Sequence, residues 1–152
     1  MMDPETQQAV IARALAAAKV RALRLSLLAL HKALIDAERE RYERANGRIE
    51  SAQAALRLVL DDPWFRWLQP LAEVIVQMDE RLADETPIEV AEAEAFADRL
   101  RVLLQRDGAD RLFTSEYRRS LQERPDVVMA HGRVARLLAG DTDAEGSSTE
   151  RL

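Results

Sequence analysis

The chain contains no cysteine, which excludes disulfides, thiol nucleophiles and cysteine-based zinc sites. Glycine and proline are scarce, at 5 residues each among 152, and aromatics make up only 5% of the sequence. With Ala, Leu, Arg and Glu abundant and no useful β-alternation, that balance is the balance of a helical protein. An excess of positive charge is also missing. The formal net charge is −5, so a nucleic-acid partner has no global electrostatic support.

No uninterrupted apolar run approaches the ~20 residues needed to cross a bilayer, so membrane insertion is not expected. The opening MMDPET is acidic, and Arg13, Lys19 and Arg21 break up the Ala-rich stretch behind it. A secretory signal has a basic start and a clean apolar run instead, so a cytoplasmic location is the expectation. Catalytic signatures are absent as well: no phosphate-binding glycine loop, no G-x-S-x-G elbow, no H-E-x-x-H. The expectation is a protein that is not an enzyme and takes no cofactor.

What is present is helical periodicity. Val20, Leu23, Leu27, Leu30, Leu34 and Ala37 recur at alternating spacings of three and four, the stripe of an amphipathic helix. Leu25, Leu28 and Ile35 widen it, which predicts a central helix surrounded by others. Asn46-Gly47 supplies its stop and Asp3-Pro4 a start. Upstream, the apolar line Ile11, Leu15 and Ala22 is rotated away from that stripe. Either one long helix shows different faces to different neighbours, or it breaks near Ala18. About forty continuous residues would reach ~60 Å, and the overhang would need a partner, most simply a second copy of the chain.

Further along, Ser51 to Leu60 reads as a short helix burying Leu56, Val59 and Leu60. Asp61-Asp62-Pro63 starts another, with Trp64, Trp67, Leu68, Leu71, Val74, Ile75, Met78 and Leu82 on one face and a break near Gln69 caused by Pro70. Thr86-Pro87-Ile88-Glu89 reads as a capping box opening a helix to about Arg106. Thr114 or Ser115 is the expected cap of a short helix carrying Leu112, Phe113, Tyr117 and Leu121. Asp126 to Ala139 forms the last helix, with Val127, Val128, His131, Val134, Ala135 and Leu138 on one side. Residues 1–139 are thus read as one domain, and 140–152 as a disordered acidic tail.

Three groups of residues are candidates for function. His31, Glu38 and Tyr42 lie along roughly one side of the central helix, and His131 also sits on an apolar face. If the two histidines met, Glu38 or Asp79 would complete a metal site and Met78 a haem site; the simpler reading is two histidines separately satisfied in the core. The second group, Trp64-Phe65-Arg66-Trp67, has the residue types of an interface hot spot. Phe65 falls off the line of the two tryptophans, so one ring is expected outside; the plainer reading is a short lid capping the core. Charged stretches at Asp36–Glu50 and Tyr117-Arg118-Arg119 are solvated faces by default.

HKALIDAERERYE and DPWFRWLQPLAEVIVQMDE together resemble a small bacterial all-helical protein family of unknown function, over roughly Leu23 to Leu138. That resemblance implies one compact helical domain and carries no activity, cofactor or site residue. The expected architecture is an all-α antiparallel bundle of four main helices with one or two short ones and a long N-terminal helix. The expected role is non-catalytic interaction, by self-association (a homodimer) or with a protein partner. The alternative is a small-molecule, metal or haem-binding bundle using His31 and His131.

Overall fold

A computed structural model describes residues 1–140, and it is all-α. Apart from Gly140, the expected acidic tail lies outside the described residues. The helices are α1 (Pro4–Asn46), α2 (Ala52–Asp61), α3 (Gln69–Ala83), α4 (Val90–Leu104), α5 (Arg111–Glu123) and α6 (Pro125–Leu138), with a 3-10 segment at Pro63–Leu68. α1 is continuous, without a break near Ala18; its 43 residues span about 65 Å. The Asp3 carboxylate accepts from the Thr6 N–H at 2.9 Å to start it. Gly47 ends it with φ 94°, in the left-handed region that glycine enters without a Cβ penalty.

α3, α4 and α6 pack on α1, and ion pairs trace their directions. Tyr42 meets Phe65 just ahead of α3 while Arg24 meets Asp79 near its far end, so α3 runs antiparallel to α1. Arg13 pairs with Glu89 and Lys19 with Glu94, so α4 runs parallel to α1. Arg124, just before α6, binds Glu40, and the α6 end carbonyl of Leu138 accepts from Arg101 on α4; α6 therefore runs back along α1. These four helices alternate in direction around one core.

The 4-3 spacing in α1 is realised in full. Val20, Leu23, Leu27, Leu30 and Leu34 are completely buried, with Ala16 and Ala37 at the ends. Leu25 and Leu28 do not widen this stripe, because α3, α4 and α6 cover one side of α1 and these two leucines lie on the other, exposed side. A short α2 buries only Ala55, with Leu58 and Val59 partly covered; Leu56 and Leu60 face outward, contrary to expectation.

The chain does break at Gln69, and the first part is a 3-10 segment rather than an α-turn. With three residues per turn, side chains three apart stack into edges. Trp64 and Trp67 form one edge, Phe65 and Leu68 the second, and Pro63, Arg66 and Gln69 the exposed third. That period corrects the α-helical reading of this stretch. Phe65 and Trp67 are both core residues, Trp64 is half-buried, and Arg66 is the member of the cluster that faces outward.

Two caps lie elsewhere than expected. Arg81 donates to the Thr86 and Pro87 carbonyls and grips Glu92 at 2.6 and 2.8 Å, so 84–89 stays non-helical. α4 begins only at Val90, with the Glu92 carboxylate accepting from the Glu89 N–H at 3.1 Å. α5 is capped by Asp110, whose carboxylate accepts from the Phe113 N–H at 3.0 Å, not by Thr114 or Ser115. In α6, Val127, Ala130 and Val134 are buried, while Val128 and Ala135 are exposed.

Candidate functional site

The two histidines have different surroundings. His31 is half-buried on α1 and makes no hydrogen bond among the described residues; burial lowers its pKa. His131 is half-buried on α6, with its Nδ1 2.6 Å from the Tyr117 hydroxyl of α5. Burial pushes the Tyr117 phenol well up and lowers His131. The phenol is therefore the donor and Nδ1 the acceptor, which leaves the imidazole proton on Nε2.

The remaining members of the proposed ligand set are engaged elsewhere. Glu38 is 1% exposed, and its carboxylate accepts from Arg119 at 3.0 Å and Arg41 at 3.3 Å. Burial opposes the charge on Arg119, but its hydrogen bonds to Glu116 and Glu38 outweigh that and raise its pKa. Asp79 pairs with Arg24, and Met78 is sealed in the core. Among the described residues, no three His, Asp or Glu side chains come together as a metal-binding group.

Tyr42 meets the aromatic cluster instead of His31. Its ring lies edge-on to Trp64 at 5.3 Å and 5.9 Å from Phe65, with the Arg41 guanidinium 5.5 Å over Trp64. This corner ties the end of α1 to the 3-10 segment. Its rings are spent on packing, so it offers a partner little beyond Arg66.

A second aromatic run, Trp67–Phe113–Tyr117–His131, leads outward from the core with centroid separations of 5.6, 5.4 and 5.6 Å. It ends at a cleft of about 410 Å³ between the C-terminal end of α4, α5 and α6. Arg106 and Arg118 line the cleft and make no ion pair among the described residues. Thr114 lines it too, with a buried hydroxyl oxygen that has no hydrogen-bond partner among the described residues. The pairing of Tyr117 with His131 across α5 and α6 had no signal in the sequence beyond the apolar setting of each.

The other face of α1 is uncovered among the described residues. Ile11, Leu15, Ala18, Ala22, Leu25 and Ala29 repeat the 4-3 spacing of the buried stripe, displaced by two residues or about 200° around the helix. Ile11, Leu15 and Leu25 are 59%, 65% and 63% exposed. Arg13, Lys19 and Arg24 nearby are neutralised within the chain by Glu89, Glu94 and Asp79. Among the described residues, no helix is long and apolar enough to cross a membrane.

No family model matches this chain, and no curated protein or solved structure matches it. That outcome agrees with a resemblance that carried no activity.

Proposed function

We propose that the chain is a cytoplasmic, non-catalytic interaction protein whose working surface is the free face of α1, packed in its functional state against a partner's helix. One observation carries this reading: a second apolar stripe with coiled-coil spacing, on the side of α1 opposite the core, with three large aliphatic side chains in water. A monomer gains nothing from this arrangement, because exposed aliphatic surface lowers solubility. The intramolecular neutralisation of Arg13, Lys19 and Arg24 supports docking, since it removes the charges that would otherwise repel an apolar helix from the stripe's edges.

The test is Leu15→Glu with Leu25→Glu. Both side chains are exposed, so helix content and Tm should stay near the parent values while any association of the chain is lost. Association unchanged by the double substitution, whether with itself or another protein, would overturn the proposal.

A second reading is supported by the cleft beside His131: a small anionic molecule held by Arg106 and Arg118, with the His131 Nε2 proton and the Thr114 hydroxyl as directed partners. This keeps His131 of the metal, haem or small-molecule alternative and leaves out His31. Thermal shift with inorganic phosphate and short carboxylates, lost in Arg118→Ala, is the expected result. No shift with either probe would end it.

A further inference from the structure

We infer that the helix covering the free face of α1 is α1 of a second copy, running antiparallel and centred on Val20. This rests on the helix-docking reading above and names its partner. The free face is self-complementary. The free stripe runs from Ile11 to Ala29 and is bounded by polar residues, Gln7 and Gln8 on one side and the Lys32–Asp36 ion pair at 2.8 Å on the other. Position 20 is its midpoint. Turning a second copy about that point sets Ala18 across from Ala22, Leu15 from Leu25, and Ile11 from Ala29.

Alanines at the centre let the two axes approach to the short end of the usual 8–10 Å range, and leucines on either side close over the contact. The apolar contact extends about 27 Å along the axis. At its margins, Gln8 of one copy lies level with Lys32 of the other, so polar ends meet polar ends. The first turns of α1 precede Arg13, whose pair with Glu89 ties α1 to α4, and every residue from Met1 to Ile11 is exposed. An antiparallel copy lays these turns along its own segment from Ala29 to Asp36, which answers the overhang.

Charge selects the orientation. From Thr6 through Ile35 the charged side chains are all basic: Arg13, Lys19, Arg21, Arg24 and Lys32. A parallel, in-register pair would bring each of them level with itself. The antiparallel register sets Arg13 level with Leu27, Arg24 with Ala16 and Lys32 with Gln8. Only Arg21 and Lys19 then share a level, and Lys19 is held by Glu94 at 2.5 Å. Opposed helix dipoles favour the same orientation.

The chain has no cysteine, so single introduced thiols report the register without background. Light scattering of the unsubstituted chain should give twice 17.2 kDa, and Leu15→Glu should weaken the dimer at least about tenfold. Leu15→Cys and Leu25→Cys variants, mixed and mildly oxidised, should form a disulfide containing one of each, while neither cross-links alone; a disulfide needs Cα atoms within about 7 Å. Self-cross-linking of Leu15→Cys alone would mean a parallel pair, overturning this inference and leaving the helix-docking reading intact. A strict monomer without cross-links, whose capture of another protein is abolished by Leu15→Glu, would remove the second copy in the same way. A monomer for which Leu15→Glu changes nothing would remove both.

Discussion

α1 carries two stripes of the same spacing on opposite sides, and they end in opposite environments. One, from Ala16 to Ala37, contains five fully buried aliphatic residues and organises α3, α4 and α6. The other, from Ile11 to Ala29, leaves its large residues Ile11, Leu15 and Leu25 in water, with Ala22 and Ala29 half-buried. They differ in two ways. The buried stripe is built mostly of Leu and Val, which fill a core, whereas the free one sets two alanines, Ala18 and Ala22, between Leu15 and Leu25, as a close helix pair requires. The buried stripe also closes, one residue past Ala37, on Glu38 and its arginines, so its position is specified by charge as well as volume. A 4-3 repeat marks a surface that must be covered without saying by what.

The contrast is sharpest in truncation. Leu27→Ala or Leu30→Ala should destabilise by about 2–5 kcal/mol in urea unfolding, because each removes fully buried methyl groups. Arg119→Met should cost about 3 kcal/mol, the lower end for stranding a buried charge, since Glu38 would keep only Arg41 at 3.3 Å. Glu38→Gln should cost less, because Arg119 keeps Glu116.

A weaker effect comes from pH. Burial lowers the pKa of both histidines, so the unfolded chain binds more protons than the folded one once pH falls below about 6.5, the unperturbed histidine value. Stability is then full above that value and falls as pH drops toward the folded pKa values. Tm should be lower at pH 5.5 than at pH 7.5, and His31→Gln with His131→Gln should reduce the difference; an unchanged slope would show that other groups set it. The smallest effect is expected at Leu25→Ala, within about 0.5 kcal/mol when measured on the dissociated chain. A loss of several kcal/mol there would erase the distinction between the stripes.

Much of α1 was legible before folding was considered. Alternating spacings of three and four place side chains on one side of a helix, so Val20 to Ala37 share a face. Asp3-Pro4, Gly47 and the break at Gln69 were equally plain, since capping and proline chemistry are local. The 3-10 period at Pro63–Leu68 was not, and it reverses the placing of Phe65. Nor was the shift of the α4 cap, because Arg81 acts from the preceding helix. Of the candidate site residues, His131 found a partner that spacing could not supply, and Glu38 and Asp79 were claimed by arginines distant in sequence.

By itself the sequence determined an all-α chain, a central helix from Val20 with one stripe for a core, and most helix ends, because periodicity, capping and helix propensity act within a few residues. Only the tertiary structure decided that α1 is continuous past Ala18 and that Ile11, Leu15 and Leu25 stay uncovered. Three covering helices can shield only one side of a fourth, and which side they shield depends on contacts between residues far apart in the chain.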